Sequence, residues 1–148
     1  VESAREMLAA VEAALPADVA IMVAAVADWR AADAAGQKIK KDGSGTVPPL
    51  ALAENPDILA TLARSPQRPG LLVGFAAETQ NVVEHATAKR ARKGADWIVA
   101  NDVSGDVMGG DANTVHLVTT RGAEAWAAMP KDRVARALID RIAKEIAE

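Results

Sequence analysis

Three runs of apolar residues constrain this chain most: Val19–Val26 (VAIMVAAV), Leu71–Ala77 (LLVGFAA) and Asp96–Ala100 (DWIVA). A strand with one wet face alternates apolar and polar residues. A strand that is apolar at nearly every position is covered on both faces, as in a parallel sheet between helical layers. Stretches of helical period separate the runs. Val1, Ala4, Leu8, Val11 and Leu15 keep helical spacing at the start, and Val82–Lys93 reads as a further helix. Alternating strands and helices predict an α/β fold: a three-layer, Rossmann-like, mostly parallel sheet flanked by helices. Thr114–Thr120, a turn at Arg121-Gly122 and Ala123–Met129 add a C-terminal β-hairpin. Lys131–Ala147 closes the chain as an amphipathic helix with Val134, Leu138, Ile142 and Ile146 on one face.

Local signals set the boundaries. Ser3 with Glu6 three residues on makes a capping box, and Pro16 ends the first helix. Ala27–Gly45 reads as irregular, and Thr46–Ala53 as a short extended piece interrupted by Pro48-Pro49. In Asn55-Pro56-Asp57-Ile58, Asn55 is expected to cap a helix, Pro56 to take its first position and Asp57 to sit at the positive end of its dipole. That helix should run to about Arg64. Gly94 should stop the helix Val82–Lys93, and Ser104–Asn113 reads as loop. At 148 residues the chain is long enough for one domain with one core.

Composition narrows the function classes. A net charge of -3 argues against a nucleic-acid binder, which needs a basic face. There is no apolar run of membrane-spanning length, and the start reads as an Ala/Glu-rich helix rather than a secretory leader. With no cysteine there is no thiolate nucleophile, disulfide or Cys-based zinc site. A cytoplasmic location without a membrane or nucleic-acid partner is the expectation. The chain starts at Val1 rather than Met, so it is expected to be a piece of a larger protein.

Polar residues follow each apolar run: Asp28 after the first, Glu78-Thr79 after the second, Asn101-Asp102 after the third. Parallel strands would bring these groups to one edge of the sheet, where α/β folds bind ligands. Singly, each is accounted for as a loop start or cap. Two basic clusters complete the pattern. Lys38, Lys40 and Lys41 could cradle phosphates or simply keep an edge soluble. Lys89 and Lys93, four apart, share a helix face, which is either solvated or bridged by an anion. The Asn55–Leu59 helix start offers N–H groups suited to phosphate, or is plain capping. Phe75, after Gly74, is positioned either to stack on a base or to fill the core. His85 and His116 have no partner at metal-ligand spacing. There is no G-x-G-x-x-G, Walker A or G-x-S-x-G motif. What remains is polyphosphate binding, with transfer chemistry driven by positioning and charge neutralisation.

The ordered motifs AAVADWR, KIKK, NPDIL, GFAAET and KRARKGADWIVANDVS resemble the phosphopantothenoylcysteine synthetase domain. That domain is the C-terminal half of the bifunctional coenzyme A biosynthesis protein, in the DNA/pantothenate metabolism flavoprotein family. The resemblance implies a CTP-dependent phosphopantothenate–cysteine ligase assisted by Mg²⁺. The 4′-phosphopantothenate carboxylate attacks the α-phosphate of CTP, and the cysteine amine then displaces CMP from the acyl-cytidylate. Residue by residue, it implies CTP contacts at Met22, Val23, Ala24, Asp28, Lys38, Pro56, Asp57, Ile58, Leu59, Phe75, Lys89 and Lys93. Lys38 is implied to stabilise transition-state charge, with Asn101, in ANDVS, near the site. Lys40 stands beside Lys38 as an additional candidate. The family implies a homodimer, with Thr114–Met129 as a candidate contributor, and a fused FMN-dependent decarboxylase domain in the parent protein. Its N-terminal strand, glycine-rich loop and Asn-x-Ser-Ser-Gly segment find no counterpart here, so the chain alone is expected to bind nucleotide without turnover. Two other readings stay open: a Rossmann-like nucleotide-binding module without catalytic activity, and a structural or oligomerisation domain.

Overall fold

The computed structural model describes residues 1–33, 40, 43, 45, 47, 49–103 and 112–147, with the backbone alone at 112 and 113. Five strands form one sheet: β1 (Val19–Met22), β4 (Leu71–Glu78), β5 (Trp97–Asp102), β6 (Ala112–Thr119) and β7 (Gly122–Pro130), in that spatial order. β1, β4 and β5 are parallel, while β6 and β7 return antiparallel as a hairpin. A separate two-stranded antiparallel ribbon pairs β2 (Trp29–Ala31) with β3 (Leu52–Glu54). Among the described residues, four helices flank the large sheet: α1 (Ala4–Ala13), α2 (Ile58–Arg64), α3 (Val82–Lys93) and α4 (Lys131–Ala147). The fold is thus the α/β sheet between helices that the apolar runs predict, closed by the C-terminal hairpin and helix.

Because side chains alternate along a strand, β1, β4, β5 and β6 feed two cores. Leu71, Val73, Trp97, Val99, Val115 and Leu117 point to one face and meet Val134, Leu138 and Ile142 of α4. Leu72, Ala76, Ile98, Ala100 and Val118 point to the other, where α1, α2 and α3 cover them. Double coverage explains why β4 and β5 are apolar throughout. Ile146, expected on the buried stripe of α4, is exposed.

Three local expectations are corrected. The first strand ends at Met22 rather than Val26, and its residues are only half-buried because it lies at the sheet's edge among the described elements. Ala27–Gly45 is not wholly irregular: Trp29–Ala31 forms β2. The α2 cap is Asp57, not Asn55. Asp57 Oδ1 accepts the Ala60 N–H at 3.1 Å. Asn55 instead closes the ribbon: its N–H donates to the Asp28 carbonyl at 2.8 Å and its Nδ2 to the Ala27 carbonyl at 2.9 Å. The Ser3–Glu6 capping box forms as expected. So does the Gly94 stop, with φ +70 and its N–H on the Arg90 carbonyl.

Candidate functional site

Strand direction puts the carboxyl ends of β1, β4 and β5 on one side of the sheet. Ala77 lies beside Asn101, and Glu78 beside Asp102. Beyond the ends of β1 and β4 opens a cleft of about 680 Å³. One wall is the chain leaving β1, Met22–Trp29; the opposite wall is Glu54–Leu59, at the start of α2. Phe75, Ala76 and Ala77 form the floor, with Asn101 beside them and Lys89 and Lys93 reaching in from α3. Asn55 ties the two walls together through its bonds to Ala27 and Asp28.

Every residue implied by the resemblance within the described residues lines this cleft: Met22, Val23, Ala24, Asp28, Pro56, Asp57, Ile58, Leu59, Phe75, Lys89 and Lys93. Asn101 joins them. Lys38 lies outside the described residues, and so does Lys41; Lys40 is exposed. Of the polar strand-end groups, Glu78 faces α3 and pairs with His85, Nδ1 to Oε2 at 3.2 Å. His85 therefore has a carboxylate partner that linear spacing hides. His116 sits on β6, level with Ala100 of β5.

The cations are held in different ways. Lys89 Nζ donates to the Phe75 carbonyl at 2.8 Å. Burial lowers its pKa from the ordinary lysine value, with Glu78 opposing and the charges of Lys93 and Arg92 adding to the fall. Lys93 Nζ pairs with Asp57 Oδ2. Burial pushes the Asp57 carboxyl up, but the bonds from Lys93 and the Ala60 N–H outweigh it and hold its pKa below the ordinary range.

Gly74 explains how α2 comes so close to the sheet. A Cβ there would stand 2.7 Å from Leu59 Cδ2 and 2.9 Å from Ile98 Cδ1. The glycine admits a packed side chain rather than a ligand. The buried Asn101 Oδ1 makes no hydrogen bond among the described residues, an open acceptor in a place where buried polar atoms are normally paired.

Sequence reasoning did not single out Met7, Trp29 or Glu54, which also line the cleft. Trp29 had a signal, as a large aromatic just past the Asp28 strand-end acid. Met7 and Glu54 reach the site only through tertiary packing. Among the described residues no group of three or more His, Asp or Glu could hold a metal ion, and no helix is long and apolar enough to cross a membrane.

Comparison with known proteins agrees with this architecture. The coenzyme A biosynthesis bifunctional protein CoaBC of Escherichia coli K12 is 42% identical over an alignment of 146 residues that covers 96% of this chain and 36% of that protein. CoaBC of Haemophilus influenzae is 41% identical over 142 residues, 95% of this chain and 35% of the relative. This chain therefore spans about a third of their length. The crystal structure of the C-terminal domain of CoaBC superposes with a TM-score of 0.73 at 33% identity, over 99% of this chain and 66% of that one. Residues 1–146 match the DNA/pantothenate metabolism flavoprotein C-terminal domain, and the chain belongs to that family.

Proposed function

We propose that this chain supplies the nucleotide cleft of a CTP-dependent phosphopantothenate–cysteine ligase in coenzyme A biosynthesis. One observation carries the reading. Residues from four separated stretches, each implied by the resemblance to contact CTP, line a single cleft at the carboxyl ends of parallel strands. A carboxylate oxygen is a poor leaving group, so an amine cannot displace it directly. The 4′-phosphopantothenate carboxylate attacks the α-phosphate of CTP; the new O–P bond replaces the bond to pyrophosphate, which departs. The cysteine amine then attacks the acyl carbon, CMP leaves with the C–O electron pair, and the amine proton passes to solvent.

In this scheme the Met22–Ala24 turn and Pro56–Leu59 hold the nucleotide between the walls. Phe75 bounds it below, Lys89 offers positive charge, and Asn101 lines the cleft beside them. Lys38 takes the role of stabilising charge on the transferring phosphate, with Lys40 as its neighbour. Mg²⁺ would accompany the nucleotide and supply charge neutralisation, since the described residues form no metal-binding cluster of their own. The parent protein would be a cytoplasmic homodimer with a fused FMN-dependent decarboxylase domain.

Calorimetric titration tests the reading. CTP with Mg²⁺ should bind, and Lys89→Ala should weaken it. CTP inert beside tight binding of ATP or NAD would reject it in favour of a different nucleotide module.

A further inference from the structure

A polyphosphate would meet an unexpected charge balance in this cleft. Its described lining carries two lysines, Lys89 and Lys93, against three carboxylates, Asp28, Glu54 and Asp57, for a net charge of −1. The two lysines are not equally available. Lys89 rests on a neutral carbonyl and has no ion-pair partner among the described residues. Lys93 already has a counter-ion, the Asp57 carboxylate. That carboxylate is fixed by its other oxygen, which caps α2 through the Ala60 N–H. The pair joins residues 36 apart in sequence and bridges α2 to the last turn of α3. It is only partly shielded, with side-chain exposures of 23% for Lys93 and 39% for Asp57, so an incoming anion can reach it.

We propose that Asp57 is a positioning residue that masks Lys93 in the free cleft, so that an anionic ligand gains this second lysine only by displacing the carboxylate. The inference rests on reading the cleft as a polyphosphate site. It assigns Asp57 a role opposite to that of a phosphate ligand. Without it, two ammonium groups one helical turn apart would repel each other in the empty cleft. With it, the cleft exchanges an internal anion for an external one, and weakly charged ligands are disfavoured against polyphosphates. Once pyrophosphate has left, the carboxylate can reclaim Lys93.

The discriminating variant is Asp57→Asn, because Asn caps a helix as well as Asp does while losing the charge. Inorganic pyrophosphate and CTP with Mg²⁺ are titrated by calorimetry into wild type, Asp57→Asn, Lys93→Met and the double variant. The expectation is a gain of about threefold to tenfold in pyrophosphate affinity for Asp57→Asn, steeply reduced by salt and absent in the Lys93→Met background. Asp57→Ser, another capping residue, should show the same gain and guards against a fold defect peculiar to one variant. Weaker pyrophosphate binding in both variants, no binding at all, or a gain that persists without Lys93 overturns the proposal. If pyrophosphate behaves as expected but CTP binds no variant, the mask stands and the ligase reading fails.

Discussion

Lys89 donates its ammonium to the carbonyl of Phe75 at 2.8 Å, tying the middle of α3 to the floor of the cleft. Burial keeps its pKa below the ordinary lysine value, so the folded protein holds this proton less tightly than the unfolded chain. The cost of the buried charge is present at every pH below the folded-state pKa. It fades as pH rises from there to the ordinary value. Lys89→Met should therefore leave the urea midpoint at neutral pH unchanged or raised, while weakening pyrophosphate binding about tenfold. In the wild type, that binding should decline as pH rises through the depressed pKa. A clear drop in midpoint would mean that the Phe75 bond outweighs desolvation.

Gly74→Ala places a methyl group against Leu59 and Ile98. Overpacking of this kind costs about 1–3 kcal/mol, and here the side chain that must yield lines the cleft. Lower stability in urea should therefore come with weaker CTP binding. Adding Leu59→Ala should recover part of the stability, since the Leu59 methyl is one of the two groups the new Cβ meets; full additivity of the two losses would contradict it.

Asp96 fastens the opposite end of the sheet. Its Oδ2 accepts the Leu72 N–H at 2.7 Å and the Arg68 guanidinium at 2.8 Å. Asp96→Ala leaves the N–H of fully buried Leu72 without this acceptor, so a loss of about 1–3 kcal/mol is expected by chemical denaturation. Asp96→Asn, which keeps one acceptor oxygen, should lose less.

Asp57 makes an acid-stability prediction separate from its ligand role. Its folded-state pKa is held below the ordinary aspartate value, so its contribution is complete above that value. It is lost as pH falls through the folded-state pKa. Asp57→Asn should flatten this part of the stability profile at acid pH and leave the neutral-to-alkaline part parallel to wild type. An unchanged acid slope, measured by urea unfolding across pH, would argue against the Lys93 pair.

Lys131–Ala147 was legible from its apolar period, and the end of Val82–Lys93 from Gly94. The buried strands were legible from apolarity alone. Strand ends were less so: Ala24–Val26 is as apolar as Val19–Met22, yet β4 offers pairing partners only to Met22. The β2–β3 ribbon was legible only in part: the extended piece expected over Thr46–Ala53 overlaps β3 at Leu52 and Ala53, while three-residue β2 and its distant pairing left no signal. At the site, the four-residue spacing of Lys89 and Lys93 revealed their common face. The pairing of Lys93 with Asp57 could not be read, because it depends on how α2 packs against α3. The choice between Asn55 and Asp57 as cap was likewise settled by tertiary structure, since Asn55 is drawn to the carbonyls of Ala27 and Asp28.

The Ala32 N–H donates to the Ala51 carbonyl at 2.9 Å, directly beyond the β2–β3 pairing. This bond extends the ribbon's pairing by one step past Ala31 and Leu52. A single residue added between Asp28 and Ala31 would reverse which side chains face outward in β2, turning Trp29 inward and Arg30 out. The length of Trp29–Ala31 is therefore fixed to the residue by its register with Leu52–Glu54.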